Sequence, residues 1–372
     1  MNREKYIVIG LTAMLFNSLY QYSWNALEPL FKKGFAVSIV EIEVAFTLFT
    51  IFSTTFQTVG GYFADTKGPK IVGVFSSILS ALGFLGSSFS PTVYFFYIFW
   101  SLGSIGEGIL YGIATNLAIK WYQDRRGFAT GLVSLGFGVG ASLTNPIIAS
   151  FTNFREITLI IGLIELIILP TLLSFSKYPA KGLTGNTPKE ILVSPKWWLI
   201  YFSFVTAAVP LTVMSSSLSV IGRALPLQDL VILISLFPFM SGISRPILGH
   251  VSDKIGRAKT VLLVDILITF GALLLTINLI GPSVLVIGFF GGSMITLYFS
   301  LVGDIFGSKF STSNNAFLYT GKAISGIMGS VIFSYLFLTM PEVSRLYTLM
   351  CGITGTLLLV IAMPRKEILK VR

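Results

Sequence analysis

Apolar stretches of about 20 residues recur along this chain, parted by short connections rich in Gly, Pro, Lys and Arg. A helix needs roughly 20 mostly apolar residues to cross about 30 Å of hydrocarbon. The pattern predicts twelve such helices, over 5–30, 37–63, 71–89, 92–118, 128–151, 156–175, 197–220, 228–250, 260–279, 282–306, 314–338 and 343–363. They take up nearly all of the 372 residues and leave no stretch for a soluble catalytic domain. The fold class expected is therefore an all-α membrane protein. Composition agrees, since 53% hydrophobic and only 11% charged residues fall outside the range of an ordinary soluble domain. The opening "MNREKYIVIG" runs into the first apolar stretch without a small-residue cleavage site, so a retained helix is expected there.

Charge then sets an orientation. The net charge is +10, and of the 26 Lys and Arg residues 19 fall in connections on the side of the termini, 5 on the opposite side and 2 inside predicted helices. That bias is the positive-inside pattern. It places both termini in the cytoplasm and accounts for the basic surplus without a nucleic-acid partner. The single cysteine, Cys351, and single histidine, His250, match no disulfide or metal-ligand spacing. No cofactor is implied, and no nucleophile with a base suggests an enzyme. Glycine-rich "GLVSLGFGVGAS" lacks the strand context of a dinucleotide loop; its Gly136 and Gly140 suit close helix contact.

Two connections repeat each other. "GGYFADTKGPK" follows the second predicted helix and "LGHVSDKIGRAK" the eighth, placing Gly61, Asp65 and Gly68 opposite Gly249, Asp253 and Gly256, with Arg257 after the second copy. A basic stretch with Pro179, Gly182 and Pro188 divides six helices from six. The organisation expected is a six-helix bundle over 1–175, a linker over 176–196 and a second bundle over 197–372, related by internal pseudo-symmetry. The paired motif and 6 + 6 layout resemble the major facilitator superfamily. That resemblance implies alternating access, with these seven motif residues acting as gates rather than as a substrate site.

A narrower resemblance rests on "LYQYSW", "YGIATN", "WYQDRRGFATG", "SRPILGHVSDKIGR", "GDIFG" and "GKA", which together are similar to the oxalate:formate antiporter family. In its oxalate-transporting members an arginine of helix 8 and a lysine of helix 11 bind carboxylates. Arg245 and Lys322 match those positions. Physical reasoning singles out the same two residues: Arg245 lies about 12 Å inside its helix end at 1.5 Å per residue, and Lys322 at similar depth. A cation there costs at least roughly 2.5–3.5 kcal/mol and must face a wet cavity or a partner. Arg supplies a planar bidentate fork, Lys a mobile point charge.

The same resemblance assigns Gln21, Tyr22, Tyr111 and Tyr319 to the pocket, and repeat symmetry adds Gln57 as the counterpart of Arg245. Glu107, four residues before Tyr111 and on its helix face, departs from the family pattern of a small residue. It is a candidate proton site or counter-charge, with desolvation and nearby cations acting on it in opposite senses. Glu165 and Asp265, in peripheral helices, suit structural roles. The tryptophans that oxalate-transporting relatives carry in helices 10 and 11 are replaced by "GFFGGS" and "AFLYTGK". The reading is a secondary transporter of small mono- or dicarboxylates such as oxalate, formate or lactate-like acids, functioning as a monomer in the cell membrane. Its alternatives are a proton-coupled monocarboxylate symporter using Glu107 and a non-transporting receptor on the same fold.

Overall fold

Helix is the one structure in which a single segment crossing hydrocarbon satisfies its own backbone amides, and helix runs almost throughout this chain. The computed structural model describes residues 3–122, 126–178, 185–307 and 310–363, without the side chains of 65, 66, 119, 126–128 and 311–313. The first half comprises span 1, made of Glu4–Gln21 and Trp24–Phe35, followed by spans 2 to 6: Ile39–Lys67, Pro69–Phe89, Val93–Trp121, Arg126–Ala149 and Phe154–Leu173. A short linker helix, Pro188–Val193, leads into the second half. Span 7 is Pro195–Ala207 with Val209–Ile221; spans 8 to 10 are Leu227–Ile255, Arg257–Thr276 and Ile280–Phe306. Span 11 is segmented as Ser311–Tyr319, Gly321–Ile327, a π-turn at Met328–Ile332 and Phe333–Thr339, and span 12 is Pro341–Ala362.

Among the described residues, eleven of the spans are long and apolar enough to cross a membrane. Span 1 falls outside that set because it is interrupted at Tyr22 and Ser23 and carries buried Asn17, Ser18, Gln21, Asn25 and Glu28. Gln21, Asn25 and Glu28 turn to the seam between the halves, whereas Asn17 donates to Glu107 O and Ser18 to Leu15 O inside the first half. Span 5 packs on span 8, span 2 on span 11 and span 1 on span 7, while the remaining large contacts, such as spans 3 with 4 and 6 or 7 with 12, stay within a half.

Internal symmetry is visible in the backbone. Gly68 closes span 2 with φ 89° and ψ 151°, and Gly256 closes span 8 with φ 99° and ψ 143°. Only glycine enters this region at little cost, so each repeat turns sharply into its next helix. The linker is tied to the second half: Gly185 bridges Gly307, and Asn186 N donates to Phe306 O at 2.9 Å. Residues 179–184 of the linker and 364–372 lie outside the described residues, as does the Asp65 side chain.

Glycines of span 5 serve two neighbours in turn. A Cβ at Gly136 or Gly140 would meet Leu11 O at 2.6 Å or Leu15 O at 2.2 Å in span 1. A Cβ at Gly138, on the other face, would meet Pro238 O at 2.3 Å and Gly242 Cα at 2.4 Å in span 8. The first face holds one half together and the second joins the halves. Overpacking costs about 1–3 kcal/mol, and its effect depends on which contact carries it. Gly140→Val is expected to lower the melting temperature, whereas Gly138→Val leaves folding intact and slows turnover by keeping the halves apart. Thermal unfolding in detergent beside a transport assay separates the two, and equal melting losses would contradict the division.

Candidate functional site

Arg245 and Lys322 are each 3% exposed, so both charges are buried. Lys322 follows the break at Thr320 and precedes the π-turn, the kind of helix irregularity that often marks a functional position. Its Nζ donates to Gln21 Oε1 at 2.7 Å and to Tyr319 OH at 2.8 Å. The ammonium also lies 4.9 Å from the centre of the Tyr319 ring and 5.3 Å from that of Phe49, distances at which ring faces attract a cation. Gln21 belongs to the first half and Lys322 to the second, so the hydrogen bond crosses the seam. No ion pair to either cation is formed among the described residues.

Arg245 sits over the Phe137 ring at 5.1 Å and within electrostatic reach of the Tyr22, Tyr111 and Tyr319 hydroxyls. Its Nε and Nη1 are buried without an acceptor, although buried polar groups are nearly always paired. Aromatic contacts hold the surrounding shell. Tyr111 and Tyr319 stack across the seam with centroids 5.7 Å apart, Tyr22 meets Phe137 and Phe237 edge-on, and its hydroxyl bonds Ser241 Oγ at 2.7 Å.

The structure thus brings together Gln21, Tyr22, Tyr111, Arg245, Tyr319 and Lys322, none more than 3% exposed. Gln57 packs on Gly112 of span 4 with its Oε1 buried and unpartnered. Glu107 accepts a 2.5 Å hydrogen bond from Ser53 Oγ and lies within electrostatic reach of Lys322. Among the motif residues, Gly61 and Gly249 both face open space. Arg257 joins three elements, reaching Asp253 Oδ1 at 2.5 Å, Asp304 Oδ2 at 3.7 Å and Ser252 Oγ at 2.5 Å.

The peripheral acids are held differently from each other. Asp265 Oδ2 accepts from Tyr298 OH at 2.6 Å, and that hydroxyl continues to Ser203 Oγ at 2.7 Å, bracing spans 9, 10 and 7. Glu165 has both oxygens buried without a partner. Two further buried acids escaped the sequence reading. Glu43 accepts from Trp24 Nε1 at 3.1 Å, and Glu28 accepts from Ser219 Oγ at 2.8 Å. Both stand near helix ends, where hydropathy does not distinguish a wet interface from the seam; the alternation in "VEIEVAF" was the available signal for Glu43.

Comparison with known proteins now decides the family. The family model of the Major Facilitator Superfamily matches residues 7–330 and 225–370. The chain belongs to the major facilitator superfamily. It is 44% identical over 335 residues to an uncharacterized 38 kDa protein in the 23S RNA operon of Thermoproteus tenax, covering 90% of this chain and 89% of that one. It is 32% identical over 349 residues to the oxalate:formate antiporter of Oxalobacter formigenes, covering 88% and 83%. A shorter match, 32% identical over 138 residues, joins 34% of this chain to 27% of monocarboxylate transporter 9 of Gallus gallus. As a multi-pass transport protein of the superfamily, the chain is neither an enzyme nor the receptor considered as an alternative.

A buried guanidinium whose Nε and Nη1 have no protein acceptor is a destabilising element of the fold. Replacing buried charge by an apolar side chain of similar length is often neutral or stabilising by about 1–4 kcal/mol. Arg245→Met is therefore expected to raise the melting temperature in carboxylate-free buffer and to lose any ligand-induced increase. A clear fall in melting temperature without ligand would show that Arg245 is internally satisfied.

Proposed function

We propose that the protein carries small mono- or dicarboxylates across the membrane by alternating access, with Arg245 and Lys322 as the two arms of a carboxylate clamp. The observation that carries this reading is the buried Arg245 guanidinium, whose Nε and Nη1 have no acceptor, in the same buried shell as Lys322. A carboxylate supplies the planar, bidentate acceptor that a guanidinium fork fits. The printed names of the relatives, an oxalate:formate antiporter and a monocarboxylate transporter, point to the same chemistry.

In this reading Gln21 and Tyr319 hold the Lys322 ammonium until substrate competes for it, Tyr22 and Tyr111 donate hydroxyls beside the guanidinium, and Gln57 lines the cavity. Residues 1–175 and 197–372 are the rocking halves, 176–196 the linker, and the seven motif residues Gly61, Asp65, Gly68, Gly249, Asp253, Gly256 and Arg257 the gate elements. Both termini face the cytoplasm across the cell membrane, and one chain is the functional unit.

The test is counterflow of labelled oxalate and formate in proteoliposomes. Arg245→Gln and Lys322→Gln are each expected to abolish saturable uptake. Arg245→Lys fails as well, because a point charge does not reproduce the fork. Normal uptake by any of the three removes the clamp.

A second reading is favoured by the position of Glu107, within electrostatic reach of Lys322 yet anchored to Ser53 rather than paired with it. Two cations match a dicarboxylate; an ionised Glu107 leaves one positive charge, which a monocarboxylate neutralises. If Glu107 exchanges a proton during the cycle, uptake couples to a proton gradient. Glu107→Gln is expected to shift preference toward dicarboxylates and to weaken any dependence on a pH gradient. Unchanged preference and unchanged coupling would leave Glu107 a structural group.

A further inference from the structure

On the face opposite the termini, a cavity of about 350 Å³ lies between the halves. Lys32 and Lys33 reach it from span 1 and Arg223 from the end of span 7, with Leu338 of span 11 on its wall. Glu28 is the one carboxylate in the lining, and it is buried in the floor, where Ser219 Oγ donates to it at 2.8 Å. Three cations thus face one acid. Arg223 is steadied over the Phe337 ring at 5.5 Å, and neither lysine is ion-paired among the described residues.

Beside this floor a polar latch joins the halves. Asn25 Nδ2 donates to Met214 O at 2.8 Å and Ser215 O at 2.7 Å, and its Oδ1 accepts from Ser219 N at 3.0 Å. Asn145 Nδ2, on span 5, donates to Ile234 O at 2.9 Å and Tyr22 O at 3.1 Å. Pro238 lacks the N–H that would bond Ile234 O, and Tyr22 lies in the break of span 1, so this amide satisfies one carbonyl freed by a proline inside span 8 and one freed by the break in span 1. The Asn25 and Glu28 bonds reach the cavity itself, through Ser219 of its lining.

We propose that the cavity is a second anion site, separate from the clamp and taking the same small carboxylates, and that it is complete only while the latch is closed. The lysines and the arginine come from different halves, so an anion bridging them favours the latched state by linkage. Substrate on this side then gathers ahead of the clamp and biases the halves toward closure on that face. The choice of carboxylate rests on the proposed function; the site itself does not depend on Arg245.

The test keeps the full chain and places one cysteine on the wall, Leu338→Cys, in a Cys351→Ser background. A negatively charged thiosulfonate reagent is expected to react faster, relative to a positively charged one, than in the Lys32→Gln/Lys33→Gln/Arg223→Gln variant. The ratio should differ about tenfold, the lower end of what a cleft of one charge sign delivers. Oxalate or formate should slow the reaction, and that protection should survive Arg245→Gln and weaken with Lys33→Gln alone and with Arg223→Gln alone. Protection that disappears with Arg245→Gln would mean that the cysteine reports the clamp through a conformational change, which overturns the site. So would failure of both anions to protect. Because protection is read with the clamp disabled, it stands or falls apart from the transport assay.

Discussion

Two positive charges buried in one shell must be solvated by the protein while they repel each other, and the architecture around the seam follows from that constraint. Lys322 is served by Gln21, Tyr319 and two ring faces. Arg245 is served by the Phe137 ring and by tyrosine hydroxyls, and its Nε and Nη1 have no acceptor. A carboxylate in contact with either cation would satisfy it permanently and leave nothing for a mobile anion to do. The one acid close by, Glu107, is held by Ser53 instead. Neutral partners can release a cation to a competing carboxylate without leaving a bare charge behind, which an acidic partner cannot.

The partners also dictate where helices are interrupted. Gln21 ends the first segment of span 1 and Tyr22 begins its break, while Tyr319 ends a segment of span 11 and Lys322 lies just inside the next. Each break aims polar side chains into the seam and releases backbone carbonyls inside a membrane domain, where such groups cannot be left to lipid. Asn145 satisfies Tyr22 O at the break in span 1 and, in the other half, Ile234 O, which Pro238 leaves free inside span 8. The irregularity that builds the site therefore supplies much of the contact that closes it.

Hydropathy made the twelve spans and the repeated gate turns legible, because apolar length and the glycine of a sharp turn are local properties. Arg245 and Lys322 were legible for the opposite reason: a cation deep in an apolar run is so unfavourable that it announces a role. Tyr319 could be placed beside Lys322 from their spacing of three residues, but its stacking on Tyr111 could not, since nothing local relates span 4 to span 11. The break at Tyr22 and Ser23 carries no Pro or Gly and left no trace. Pro238 suggests a kink, yet the amide that donates to the carbonyl it frees, Ile234 O, lies 89 positions before that carbonyl in the chain. Buried Glu28 and Glu43 were obscured by their place near helix ends.

The seam uses two kinds of contact, and their energetics differ in a way that suits a rocking mechanism. At Gly138 and Gly242 backbones approach too closely for any side chain, and at Gly326 the Thr50 side chain fills the space a Cβ would take, its Oγ1 2.2 Å from the ideal Cβ position; dispersion falls steeply with separation. The face opposite the termini is closed instead by hydrogen bonds across the halves: Asn25 to Met214 and Ser215, Ser219 to Asn25 and Glu28, and Asn145 to Ile234. Water can replace each of these on opening, so each contributes only about 1 kcal/mol net, and the five together about 5 kcal/mol. An anion that binds one state about a thousandfold more tightly than the other shifts the balance by about 4 kcal/mol. A latch of that size is strong enough to hold the face shut and weak enough for substrate binding to shift, whereas a dry apolar seal of the same extent would not yield to a ligand of a few heavy atoms.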